Sequence, residues 1–161
     1  MPPTRPYYFL GYSLGGNLVH EIACLLNQNG EEVKLLAMLD SWAVHSSLNQ
    51  DELHFKRQLG SLSEVLPTEI VNLAWEKEKL LLNCTPTKIT QNLLLFKAKK
   101  LVNEYHSLNE PLNGWDLFNF GDIDCCEVEA THFDILDKKF LELIINKIAE
   151  AIERTSSDND F

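Results

Sequence analysis

The chain has 161 residues, 45% of them hydrophobic and 24% charged, so it can bury one core of ordinary size. Acidic residues outnumber basic ones by 24 to 14, and the net charge of −10 argues against nucleic acid or an anionic membrane surface as a partner. No apolar run approaches the roughly 20 residues of a membrane helix, and the opening MPPTRPYYFL, with three prolines and no apolar h-region, does not read as a signal peptide.

Tyr7 to Leu10 is a short aromatic and aliphatic run closed by Gly11, and it reads as a buried strand. From Gly15 to Asn29 the residues Leu18, Val19, Ile22, Leu25 and Leu26 recur at helical spacing, with Gly30 where a helix C-terminus expects it. Val33–Leu39, VKLLAML, is a second buried strand, and Asp40 follows it. Strand, helix, strand with short connections is a βαβ unit, whose two strands should be parallel and adjacent. Residues 49–84 carry no strand signal. Leu59, Leu62 and Leu66 mark one helical face there, and Ile70, Leu73, Ala74 and Leu81 another, with Pro67 near the break. This predicts a helical insertion between core strands. Leu93–Phe96 is a third strand, and Ile123–Val128 a fourth, followed by EATH. Leu141, Ile144, Ile145, Ile148 and Ile152 form the stripe of a closing amphipathic helix, and TSSDNDF reads as a frayed tail.

Four cysteines, Cys24, Cys84, Cys125 and Cys126, make no CxxC and no metal-ligand spacing with histidine. They read as buried free thiols of a reducing cytosol, with no structural metal.

The chemistry concentrates at Gly11-Tyr12-Ser13-Leu14-Gly15. A G-x-S-x-G run between a strand and a helix is what a nucleophile elbow requires: a tight, strained turn that projects the serine at the helix N-terminus. There the Leu14 amide can donate to a developing oxyanion. The plain alternative is a glycine-rich turn with Ser13 as a helix N-cap. A serine nucleophile needs a base, because its hydroxyl is weakly nucleophilic at neutral pH. Of the five histidines, His20 lies inside the first helix, and His45, His54 and His106 fall in or near the helical insertion. His132 follows the last strand, so in a parallel sheet it shares the C-terminal edge with Ser13. Asp40 follows the second strand at the same edge, and the order Ser, Asp, His is the one expected of a triad built on a nucleophile elbow. An aspartate in that place can also simply cap the next turn. Asp116, Asp122 and Asp124 precede or open the last strand, at the wrong end of the sheet.

The stretch YYFLGYSLGGNLVHEIACLLNQNGEEVKLLAMLDS resembles the core of the thioesterase domains that work with nonribosomal peptide synthetases and polyketide synthases, which are α/β-hydrolases. In that family a G-Y-S-x-G-G elbow is followed by a helix and a strand ending in a sequence such as LLDS. EVEATHFDIL resembles the segment that carries the catalytic histidine, although Ala130 and Thr131 stand where the family usually has glycine. LLLFKA and GWDLF resemble the strand and Trp-containing loop before it. The resemblance implies a nucleophile Ser13, an acid Asp40, a base His132, and the Leu14 N–H in the oxyanion hole. It implies one α/β-hydrolase domain over residues 1–155, a mostly parallel sheet flanked by helices, a lid at 45–88 and a tail at 156–161. Family members carry further strands before the nucleophile strand, including the loop with the second oxyanion donor, so the chain is expected to be the C-terminal portion of such a domain or a reduced form of it. The implied reaction is hydrolysis of an acyl thioester on the phosphopantetheine arm of an acyl or peptidyl carrier protein, in the cytoplasm, without metal or bound cofactor. Leucines of the lid and Trp75 would offer the acyl chain an apolar surface. An oxygen-ester hydrolase and a non-catalytic fragment that binds a carrier protein are the alternatives.

Overall fold

A computed structural model of the chain describes residues 6–43, 59, 62–83, 85–100 and 111–157. Its elements are β1 (Tyr7–Tyr12), α1 (Leu14–Gln28), β2 (Val33–Leu39), α2 (Leu62–Val65), α3 (Thr68–Leu82), β3 (Leu93–Ala98), a single 3-10 turn (Trp115–Leu117), β4 (Ile123–Val128) and α4 (Lys138–Ser157). The four strands form one sheet in the order β1-β2-β3-β4, and every neighbouring pair is parallel. Parallel neighbours need crossovers, so the helices must lie on the faces.

The alternation along β2 divides the core. Leu36 and Met38 point to one face, with Leu93, Leu95, Ala23 and Cys24 of α1, and Trp115. Leu35, Ala37 and Leu39 point to the other, with Leu94, Phe96, and Ile144 and Ala151 of α4. All seven residues of β2 are buried because both faces are covered. Each leucine buried this way contributes about 1.5–3 kcal/mol relative to exposure.

The edges fall elsewhere than the apolar pattern implies. β1 runs on to Tyr12 and is largely exposed, with Gly11 its one buried residue. It pairs only with β2, so one side of the strand has no neighbour among the described residues. On α3, Val71 is the buried residue, while Ile70 and Leu73, expected on the apolar face, are exposed. On α4, Ile144 and Ala151 face the sheet and Ile145 points to water. α4 continues through Ser156 and Ser157, which the sequence assigns to the tail. Cys24 is buried, but Cys125 and Cys126 are only partly so, because β4 is the other edge strand; Cys84 lies outside the described residues. Of the helical insertion expected over 45–88, α2 and α3 are described, separated at Pro67; residues 45–58, 60, 61 and 84 lie outside the described residues. No helix among the described residues is long and apolar enough to cross a membrane.

Candidate active site

The C-terminal ends of the strands form one rim, and the register aligns it. Tyr12 pairs with Leu39, so Ser13 and Asp40 are the next residues out from neighbouring strands. Ser13 N–H donates to the Leu39 carbonyl at 3.0 Å, and Asp40 N–H to the Phe96 carbonyl at 2.7 Å.

Ser13 sits between β1 and α1 at φ 52°, ψ −124°. For a residue with a Cβ this left-handed region is strained, as a nucleophile elbow demands. Its side chain makes no capping hydrogen bond, so the N-cap alternative is not the arrangement found. Leu14 opens α1; Gly16 N–H is taken up by the Ser13 carbonyl at 2.9 Å, and the Leu14 N–H precedes any acceptor within the helix. Two glycines make the turn possible. A Cβ on Gly11 would collide with the Gly15 carbonyl, and one on Gly16 with the Ser41 side chain. Gly15 itself has open space around it, so the close approach is made by Gly11 and Gly16 rather than by the two glycines of the five-residue motif.

Asp40 is buried and also left-handed, at φ 43°. Aspartate tolerates that region better than most residues. Both carboxylate oxygens are engaged. Oδ1 accepts from Ala98 N–H at 2.9 Å and more weakly from Asn113 Nδ2 at 3.5 Å. Oδ2 lies 2.8 Å from His132 Nδ1. An imidazole that donates from Nδ1 to a carboxylate leaves Nε2 as the acceptor, the tautomer a general base needs.

His132 belongs to a turn built by Asp134, whose carboxylate accepts from both the N–H and the hydroxyl of Thr131. Those bonds hold the Asp134 carboxyl below the usual range. Tyr12 stacks on the imidazole, with ring centroids 5.1 Å apart and planes 24° apart, and its hydroxyl donates to the His132 carbonyl at 2.7 Å. Phe133 meets the imidazole edge-on at 5.4 Å.

The segment after Asp40 is tied down from the β3–β4 connection. Trp115 Nε1 and Asn113 Nδ2 both donate to the Ser41 carbonyl, at 2.9 and 3.1 Å. Ala43 N–H returns a bond to the Asn113 carbonyl. In the sequence Tyr12 stands inside the G-x-S-x-G run, and Trp115 and Ala98 stand inside GWDLF and LLLFKA, but no local pattern marks the bonds they make, and nothing marks Asn113.

The remaining histidine expectations resolve simply. His20 is buried inside α1 against Trp115, away from the rim. His45, His54 and His106 lie outside the described residues. Asp122 and Asp124 are at the opposite end of β4, Asp124 paired with Arg154, and Asp116 is on the 3-10 turn. His20, Glu21 and Cys24 form the one cluster of possible metal-ligating atoms among the described residues, with those atoms within 4.8 Å of one another. Burial lifts the Cys24 thiol to about 11, and the Glu21 carboxylate is engaged with Thr87, so the cluster reads as helix packing.

A parallel sheet with a strained serine turn and an Asp–His pair on one rim defines an α/β-hydrolase. The profile of the family described as "Thioesterase domain" matches residues 1–152, and the chain belongs to that family. Malpinin synthetase of Mortierella alpina is 27% identical over 91% of this chain, which spans 2% of that protein. Enterobactin synthase component F of Escherichia coli K12 is 29% identical over 88% of this chain, which spans 12% of it. The chain thus corresponds to a small fraction of the synthetases it matches. Among solved structures, human thioesterase 2 superimposes with a TM-score of 0.70 at 19% identity, over 96% of this chain and 76% of that one. The NocB thioesterase domain, captured as a covalent complex with a fluorophosphonate nocardicin G analog, gives 0.69 at 20%, over 96% and 67%. At these identities the likeness is one of fold.

Proposed function

We propose that the chain hydrolyses acyl thioesters carried on the phosphopantetheine arm of an acyl or peptidyl carrier protein, with Ser13 as nucleophile, His132 as base and Asp40 as the acid that orients it. The observation that carries the reading is the 2.8 Å bond from His132 Nδ1 to Asp40 Oδ2, on the rim that also bears the strained Ser13 turn. His132 Nε2 takes the Ser13 proton as Oγ bonds to the thioester carbonyl carbon. The carbonyl oxygen becomes an oxyanion facing the Leu14 N–H and the positive end of α1. Collapse breaks the C–S bond, and the imidazolium gives its proton to the departing thiolate. Water then attacks the acyl-serine with His132 as base, which releases the acid and restores Ser13. Asp40 stabilises the imidazolium without taking its proton. No metal or bound cofactor enters these steps.

The exposed apolar side chains of the helical insertion, Leu66, Ile70, Leu73 and Leu80, support an acyl rather than a polar substrate. The relatives are synthetases, which supports a carrier domain as the partner that presents it. Incubation with an alkyl fluorophosphonate followed by peptide mass spectrometry tests the assignment. The adduct is expected on Ser13 and absent from Ser13→Ala; a protein that stays unlabelled while folded refutes it. Acyl-pantetheine thioesters should be turned over faster than the matching oxygen esters, and the reverse order would make the protein an ester hydrolase.

A further inference from the structure

We propose that Tyr12 is a positioning residue of this site, its ring and hydroxyl together holding His132 against the nucleophile turn. The inference rests on the triad reading above and adds a part to it.

The argument begins with what Asp40 leaves undone. One hydrogen bond from Nδ1 to Oδ2 fixes a point on the imidazole, but the ring can still swing about that bond. Nε2 is on the far side of the ring, so such a swing moves the proton acceptor through ångströms. The backbone beneath the ring is no better restrained from within. Residues 129–137 belong to no helix or strand; the segment is anchored by Lys100 N–H on the Ala130 carbonyl at 2.9 Å and by the buried Ile135, and between these points the Thr131–Asp134 turn is local.

Phe133 touches the imidazole edge; Tyr12 restrains both its face and the His132 peptide from one side chain. Its ring lies face to face with the imidazole at 5.1 Å, which restrains the plane. Its hydroxyl donates at 2.7 Å to the carbonyl of the same residue, 120 positions along the chain, which restrains the backbone. Burial, and then the Asp40 charge, push the phenol above its ordinary range, so the hydroxyl stays protonated and donating at any working pH.

The origin of Tyr12 gives the contact its meaning. It is the last residue of β1, paired with Leu39, and Ser13 follows directly. One rigid strand end therefore delivers both the nucleophile and the clamp on its base. Asp40 comes from the adjoining strand end. Residues at the ends of β1 and β2 thus hold His132 from outside the turn that carries it.

Two variants separate positioning from packing. Tyr12→Phe keeps the ring and its volume and loses only the carbonyl bond. Tyr12→Leu loses the stack as well. On acyl-pantetheine thioesters, Tyr12→Phe should lower kcat about 2- to 10-fold, the worth of one neutral hydrogen bond. Tyr12→Leu should lower it about 100-fold, the cost of a misplaced base. KM should stay within about 2-fold in both, since uniform binding is untouched. The second readout needs no turnover: the downfield proton resonance of His132 Nδ1–H. It should be present in the wild type and in Ser13→Ala, persist in Tyr12→Phe, and broaden or vanish in Tyr12→Leu at a temperature where that variant is folded. Should Tyr12→Leu prove unfolded, the kcat of Tyr12→Phe decides. A wild-type kcat in Tyr12→Phe, or a sharp resonance in folded Tyr12→Leu, overturns the proposal. A wild type that shows the resonance but takes no fluorophosphonate would sink the triad reading while leaving the clamp on His132 testable by the resonance alone.

Discussion

Asp40 makes more of the site's bonds than any other residue. Its Oδ1 accepts from Ala98 N–H and its Oδ2 faces His132 Nδ1, so both positions require an acceptor. Asp40→Asn keeps the shape but puts an NH2 group opposite one of two donors. The expected result is a fall in kcat of about 10⁴-fold, through loss of the correct tautomer, measured on protein whose unfolding midpoint is checked in parallel. His20 poses the opposite problem, a titratable group that the reaction does not use. It is buried, its Nε2 has no hydrogen-bond partner among the described residues, and burial, opposed by the Glu21 hydrogen bond and charge, lowers its affinity for a proton. A histidine whose folded value is depressed stabilises the fold above its unfolded value and loses that contribution as pH falls. Stability should therefore decline below about pH 6.5, the ordinary histidine value, and His20→Phe should flatten that slope in chemical denaturation at several pH values. An unchanged slope would mean that other groups carry the acid sensitivity. At this scale the G-x-S-x-G run, the chain order and the strand ends mark Ser13, Asp40 and His132 as candidates, and the structure brings Asp40 and His132 into hydrogen-bond contact. Asn113 was invisible, because its partners Asp40 and Ser41 are more than 70 positions away and no pattern announces a bond to a carbonyl.

The element that most constrains the site is the β1–α1 junction. Gly11 and Gly16 have neighbours where a Cβ would stand, and Gly15 has none. Gly11→Ala and Gly16→Ala should each destabilise by about 1–3 kcal/mol through overpacking. Gly15→Ala should be neutral or slightly stabilising, because alanine favours the helix. Thermal unfolding of the three variants checks the order, and a Gly15→Ala variant as damaged as the other two would refute this account of the turn. Combining Gly16→Ala with Ser41→Gly should recover part of the loss, since the colliding atoms belong to Ser41. The helix and strands around the junction were legible to within a residue or two, because an apolar run bounded by glycines or by a charged residue leaves few choices. Burial was less legible. Tyr7 and Leu10 look like core residues, and Ile70 and Leu73 like an inward helix face, yet all four are exposed. Periodicity reports that a face is apolar; whether anything covers it depends on elements far away in the chain.

At the scale of the whole molecule, those exposed residues become a surface. The first βα unit presents Tyr7, Tyr8 and Leu10 along an edge strand, and Leu18, Ile22 and Leu25 at i, i+4 and i+7 along α1. A strand edge with no partner among the described residues, flanked by apolar side chains, invites association, and β1 carries no charged residue to discourage it. The net charge of −10 opposes contact between copies, but only over a Debye length of about 8 Å at physiological salt. The two effects differ in their salt dependence. Raising salt screens the repulsion and leaves the apolar attraction in place, so the isolated chain should associate more strongly in 1 M than in 0.05 M sodium chloride. Sedimentation velocity over a concentration series measures this directly. Leu18→Lys with Leu25→Lys places two charges on side chains that already face water, so it should weaken association while leaving the unfolding midpoint within a few degrees. If the double variant associates as the wild type does, the α1 face is not responsible and the β1 edge alone must be tested, by Tyr8→Lys. Association that weakens with salt would instead identify the contact as electrostatic, against what these six side chains predict.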